Sequence, residues 1–192
     1  MGLRGLLSRW ISGGGEQHND ARSGAGSRPE SNPGSTEAET RYRETAELVA
    51  AGRLPEAERS VARALECRHD YVEALLLQSA IFREQGRLEE AADSLTLAVH
   101  YRPDQADAYY LLGDTATSQG RADEAERAFR RALTIEPSHA RAHNALGALL
   151  SDRGALNEAV NCFRRAIAIR PEFAPAHSNL CLLYTSPSPR DA

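Results

Sequence analysis

The sequence contains no lysine, so all 23 of its basic residues are arginine. Together with 27 acidic residues they give a formal net charge of -4. Non-specific nucleic-acid binding depends on a surplus of basic side chains, so the charge balance argues against that class of partner. The use of arginine alone, with abundant alanine, suggests GC-rich codons and a bacterial protein.

The chain also lacks any run of about 18 or more apolar residues, so the sequence predicts no transmembrane helix. Its first apolar stretch is too short for a secretory signal and is followed by no small-residue cleavage site. The three cysteines, Cys67, Cys162 and Cys181, show no CxxC spacing, which argues against a zinc site or a disulfide framework. We therefore expect a cytoplasmic protein.

Two segments precede the patterned part of the chain. Residues 1–12 place Leu3, Leu7 and Trp10 on one helical face, which is typical of a short amphipathic helix. Such a helix could make weak contact with a membrane surface, peripheral to the inner membrane, or it could be a frayed terminus. Residues 13–37 are rich in Gly, Ser and Pro and predict a disordered linker.

From residue 38 onward the sequence repeats with a period of 34 residues. The clearest copy has eight recurring positions, occupied by Tyr109, Leu112, Gly113, Ala116, Ala125, Phe129, Ala132 and Pro137. Adding 34 to each number gives His143, Leu146, Gly147, Leu150, Ala159, Phe163, Ala166 and Pro171. A glycine expected to end the first helix of each copy recurs as Gly52, Gly86, Gly120 and Gly154.

This pattern resembles the tetratricopeptide-repeat family over residues 38–173. The resemblance implies an all-α fold, a right-handed superhelical solenoid of helix-turn-helix hairpins preceded by the disordered N-terminal segment. The predicted units are a degenerate first repeat at 38–71, further repeats at 72–105, 106–139 and 140–173, and the start of a fifth at 174–180.

The sequence departs from the repeat after Leu180. Residues 181–191 resemble the in-frame translation of a sequencing adapter, so we expect residues 181–192 to be a non-native tail. In that case the natural protein continues beyond Leu180, and a catalytic domain could follow. The alternative is a natural, disordered Ser/Pro-rich tail.

Candidate catalytic, cofactor-binding and metal-binding residues are not predicted. His139 and His143 are four residues apart, but a repeat boundary lies between them, so they should not share a helical face as metal ligands do. The acidic pairs Glu89-Glu90 and Asp123-Glu124 fall at the starts of second helices, where carboxylates favour the positive end of the helix dipole.

The remaining candidate is a stripe on each first helix, offset by two residues from the repeat signature. The resemblance implies that this stripe faces a concave groove, in which tetratricopeptide-repeat proteins hold extended peptides or partner helices. An ordinary solvated helix face is the alternative. The absence of lysine argues against the family's carboxylate clamp. The candidate partner-binding residues are Glu73, Leu76, Arg83, Asp107, Tyr110, Asp114, Thr117, Arg141, Asn144 and Ser151.

Two functions remain open at this point. The first is a non-enzymatic interaction scaffold that binds a protein or peptide segment in the groove. The second is the substrate-selecting N-terminal arm of a truncated bacterial enzyme, similar to a glycosyltransferase of the O-linked N-acetylglucosamine transferase type.

Overall fold

The computed structural model describes residues 33–185, and all of the regular structure within that range is helical. The amphipathic segment predicted at 1–12, most of the predicted linker, and residues 186–192 of the predicted tail lie outside the described residues. The helices are α1 (Pro33–Ala50), α2 (Leu54–Cys67), α3 (Val72–Glu84), α4 (Leu88–Tyr101), α5 (Ala106–Ser118), α6 (Ala122–Ile135), α7 (Ala140–Asp152), α8 (Leu156–Ile169) and α9 (Ala174–Thr185).

The helices pair into hairpins because a glycine ends the first helix of each pair. Gly52, Gly86, Gly120 and Gly154 have φ angles of 74 to 78°, a left-handed conformation that favours glycine. In the second hairpin the amide of Arg87, just past the glycine, donates to the Phe82 carbonyl at 2.9 Å. This bond satisfies a carbonyl that the end of the helix would otherwise leave without a partner.

The first helices from α3 onward begin at Val72, Ala106, Ala140 and Ala174, so the 34-residue period of the sequence is also the period of the helices. The two ends of the array differ from expectation. Helix α1 begins at Pro33, within the segment predicted as linker, and α9 continues past Leu180 to Thr185.

The described residues up to Tyr101 form one compact unit, which contains α1 to α4. Its core joins α1, α2 and α3 through buried residues that include Val49, Val61 and Leu77. Between the two hairpins the guanidinium of Arg87 donates to Glu58 at 2.7 Å. Hydrophobic packing and this charged contact therefore both join the two hairpins.

The residues from Arg102 onward form a second compact unit, with α5 to α9. Phe129 and Phe163, each about 1 % exposed, lie in its core. A Cβ added at Gly113 would lie 2.6 Å from Cε1 of Phe129, and one at Gly147 would lie 2.8 Å from Cε1 of Phe163. The two glycines thus make room for an aromatic ring from the second helix of the same hairpin.

In the same unit, Arg153 of the fourth hairpin donates to Glu126 at 2.6 Å and also pairs with Asp123, both on α6. Among residues 33–185, no helix combines the length and the apolar character that crossing a membrane requires.

Candidate functional site

The first helices of the second unit bring several of the candidate residues together. Helices α5 and α7 are neighbours, and Asp107 and Arg141 occupy equivalent places in them, 34 residues apart. Nη2 of Arg141 donates to Oδ1 of Asp107 at 2.9 Å. The side chain of Arg141 is only 12 % exposed and that of Asp107 is 31 % exposed, so this ion pair is partly shielded from water.

His139, which the sequence pattern did not mark as a site residue, completes this cluster. It caps the N-terminus of α7, where its Nδ1 accepts a hydrogen bond from the Ala142 amide at 3.1 Å. Because Nδ1 is the acceptor, the proton of the neutral ring lies on Nε2, which donates to Oδ1 of Asp107 at 3.1 Å. The carboxylate of Asp107 therefore accepts from two groups at the start of the next hairpin.

Tyr110, one turn after Asp107, is half-buried against this cluster. The carbon at the centre of the Arg141 guanidinium lies 4.9 Å from the centroid of its ring, within the range of a cation–π contact. The ring centroids of His139 and Phe129 lie 5.2 and 6.1 Å away. The ring of Tyr110 is thus held in place by neighbours on α6 and α7, and part of its surface stays open.

Further along the same face, two asparagines pair. Nδ2 of Asn179 on α9 donates to Oδ1 of Asn144 on α7 at 3.1 Å, and both side chains are half-buried. Asn179 is 35 residues from Asn144, one more than the repeat period, so the period does not predict the contact. The position upstream that is equivalent to Asn179 holds Ala145.

The other candidates in this unit are Asp114, Thr117 and Ser151. Thr117 is exposed, and its hydroxyl donates to the carbonyl of Gly113 at 2.9 Å within α5. Asp114 and Ser151 are half-buried on α5 and α7. They extend the polar face that contains Asp107, Tyr110 and Asn144.

In the first unit the three candidates all lie on α3. Glu73 and Arg83 are half-buried, so part of each side chain is open to solvent. Leu76 is about 1 % exposed, so in this structure its side chain supports the surface and does not form part of it.

The two histidines that are four residues apart both have structural contacts. His143 lies at the aromatic signature position, where its Nε2 donates to the carbonyl of Pro137 at 3.0 Å. Burial lowers the pKa of His143, because the charged ring would lose hydration. His177 repeats the contact with the carbonyl of Pro171 at 2.7 Å. Within residues 33–185, no cluster of three or more His, Cys, Asp or Glu side chains has the arrangement of a metal site.

Comparison with known families finds three repeat models along the chain. Models described as "Tetratricopeptide repeat" match residues 42–100 and 82–149, and one described as "TPR repeat" matches residues 149–185. Together they extend from α1 to the end of α9. None of the curated protein sequences is a detectable relative.

Several solved structures are similar. MamA is 26 % identical over 78 % of this chain and 82 % of its own, with a TM-score of 0.69. YrrB, described as a TPR protein with an unusual peptide-binding site, is 22 % identical over 77 % of this chain and 76 % of its own, with a TM-score of 0.64. A chain of the APC/C hetero-tetramer Cut9–Hcn1 is 17 % identical, with a TM-score of 0.71 over 80 % of this chain and 30 % of its own.

Proposed function

Because the chain belongs to the tetratricopeptide-repeat family, we propose that it is a protein-interaction scaffold that binds a peptide segment on the exposed faces of its first helices. In the second unit this surface consists of Asp107, Tyr110, Asp114 and Thr117 on α5, with Arg141, Asn144 and Ser151 on α7. The first unit, taken by itself, presents Glu73 and Arg83 on α3, above the buried Leu76.

One observation carries the proposal, namely the fixed and partly open ring of Tyr110. Asp107, His139 and Arg141 hold one another through hydrogen bonds, and Arg141 in turn lies over the ring of Tyr110. A tyrosine that is already ordered offers contact area at a low cost in side-chain entropy, which is why tyrosine is common at binding surfaces.

The polar groups beside Tyr110 suit a peptide main chain. The side-chain amide of asparagine has both a donor and an acceptor, as does each peptide group, and Asn144 and Asn179 lie side by side. Thr117 and Ser151 add hydroxyl groups that can donate and accept. The charges of Asp107 and Arg141 largely compensate each other within this surface.

YrrB gives a precedent for the fold, since that protein is described as having a peptide-binding site. Its identity of 22 % supports similarity of fold alone, so the proposal for this chain depends on the side chains described above. The alternative, a substrate-selecting arm of a glycosyltransferase, is favoured by no family match, by no similar structure named above and by no contact among residues 33–185.

The proposal can be tested by selecting peptides from a random library on the full-length chain and measuring their affinity by fluorescence anisotropy. We expect Asn144→Ala and Thr117→Arg each to weaken binding by about tenfold or more, the first by removing an amide and the second by blocking an exposed position. Thr117 is exposed, so its replacement should leave the fold intact.

The matched control is Thr134→Arg on α6, where the exposed threonine likewise bonds within its own helix. Its affinity for the selected peptides should stay within about twofold of the unmodified chain, since it lies on a second helix. Circular dichroism confirms that each variant is folded. Selected peptides that bind all variants equally would show that the first-helix faces are not the binding surface.

A further inference from the structure

The first hairpin has a cleft that the first-helix surface does not include. Its volume is about 290 Å³, and it lies between α1 and α2. The first helix contributes three residues at repeat-signature positions, of which Leu48 is apolar as in the other copies and two are charged. Arg41 and Glu44 replace residues equivalent to Tyr109 and Leu112. The cleft is lined by Arg41, Glu44, Leu48, Arg53, Glu56, Arg59, Ser60 and Arg63.

The two glutamates of the cleft are already paired. Glu44 accepts from Arg41 at 3.1 Å and also from the hydroxyl of Ser60 at 3.2 Å. Glu56 accepts from Nε and Nη2 of Arg53 at 3.2 and 3.0 Å. These contacts fix two of the four guanidinium groups to the walls of the cleft.

The other two arginines carry the surplus of positive charge. Arg59 and Arg63 are four residues apart, so they lie on the same face of α2, and both are exposed. Within residues 33–185 neither side chain forms a hydrogen bond or an ion pair, although Arg59, after the stronger effect of the hydrogen bond from Arg53, helps to lower the pKa of Glu56. A guanidinium is always charged and presents a planar set of donors that matches a carboxylate with two parallel hydrogen bonds.

We propose that this cleft binds an acidic segment of a partner protein, with carboxylate side chains held by Arg59 and Arg63. Charge complementarity carries the assignment, because four arginines and two paired glutamates leave the cleft with a net positive charge. Its volume is close to the lower end for ligand sites and accommodates one or two side chains. Half-buried Leu48 provides an apolar wall for the methylene groups of a glutamate.

The test measures binding of a fluorescein-labelled, glutamate-rich peptide to the full-length chain at physiological salt, where distant charges are screened. We expect Arg59→Gln/Arg63→Gln to weaken binding by about tenfold or more. A matched control is Arg127→Gln/Arg131→Gln on α6, which removes two exposed arginines at the equivalent positions of the third repeat. This control should change the affinity by less than about twofold.

Two further arms sharpen the test. Glu44→Gln should tighten binding of the acidic peptide, because it removes a negative charge from the wall of the cleft and leaves the guanidinium of Arg41 without that carboxylate. Asn144→Ala should leave the affinity for the acidic peptide unchanged. The proposal for the cleft and the proposal for the first-helix surface can therefore fail independently of each other. The counterpart peptide with glutamine at every glutamate should bind at least about tenfold more weakly.

Three results would overturn the proposal. Equal weakening by the two arginine pairs would mean that general electrostatic attraction explains the binding. No binding of the acidic peptide up to about 1 mM would remove the site altogether. If inorganic phosphate displaces the labelled peptide at the same concentration as the unlabelled peptide does, the cleft is a simple anion site and not a docking site for a protein segment.

Discussion

The glycine at position 113 gives a quantitative test of how the hairpins pack. In Gly113→Ala the new methyl group would lie 2.6, 2.7 and 3.1 Å from three ring carbons of Phe129. That ring is about 1 % exposed and has little space to move into. Alanine in a helix interior gains about 1 kcal/mol over glycine, while overpacking a core costs about 1–3 kcal/mol. The net expectation is a loss of stability between zero and about 2 kcal/mol.

Phe129→Ala separates the two effects, because alanine removes all three ring carbons that the methyl group would meet. In that background Gly113→Ala should be stabilising by about 1 kcal/mol, the helix-propensity gain alone. The coupling between the two sites should therefore be about 1–3 kcal/mol, as measured by urea unfolding followed by circular dichroism. Comparison of the denaturant slopes shows whether the variants unfold over the same surface area.

Gly120→Ala is the matched control for a glycine required for another reason. It has a φ of +74°, and a Cβ there meets nothing within 4 Å. Gly120→Ala should lower the free energy of unfolding by about 1–2 kcal/mol, because alanine is strained in the left-handed conformation. This loss should be the same with either residue at position 129. The packing argument is wrong if Gly113→Ala shows no coupling to Phe129. It is also wrong if Gly113→Ala stabilises the otherwise unmodified chain by the full helix-propensity gain of about 1 kcal/mol.

Two predictions concern pH. Burial, with nearby Tyr71 and Glu73, raises the pKa of Tyr42 to about 12, against about 10 in an unfolded chain. The neutral tyrosine therefore contributes to the free energy of unfolding in full below about pH 10, and this contribution is lost as the pH rises through about 12. The loss is at most about 2.7 kcal/mol, and partial exposure of the side chain makes it smaller. Alkaline unfolding should therefore show a smaller decline for Tyr42→Phe, and an equal decline would refute the assignment. Burial lowers the pKa of His143 in the folded protein. The contribution of the neutral ring to the free energy of unfolding is therefore full above about pH 6.5, and it falls at lower pH because the histidine of the unfolded chain is protonated first. Replacing it by tyrosine, as at the equivalent Tyr109, should flatten urea-unfolding stability between neutral and mildly acid pH, and an unchanged slope would contradict this.

The repeat itself was predictable, because each of its features depends on local chemistry. The prediction of a helical solenoid of this family is confirmed by the helices and by the family matches. Gly86 has the positive φ that a glycine at the end of a helix suggests. The start of α1 was less predictable, since Pro33 and the small residues after it read as linker yet lie in the first turn of a helix, a position that tolerates proline.

The candidate site was predicted only in outline. Helical periodicity gives the direction in which Leu76 points, but it cannot show that neighbouring side chains cover it to about 1 % exposure. The contact between Asn144 and Asn179 joins positions that are not equivalent, so comparison of equivalent positions could not reveal it. His139 had a signal that was available, since it lies just before a helix two residues after a proline, as a capping residue does.

The hydrogen bonds of Asp107 limit how the first-helix surface can be redesigned. Its carboxylate joins α5 to the start of α7 through His139 and Arg141, so the same groups form both the joint between two hairpins and one edge of the proposed binding surface. Changing them to alter specificity would also loosen the joint. Thr117 and Ser151 take no part in that joint, so an engineered variant could recognise a new peptide through them while the contacts of Asp107 between the hairpins are kept.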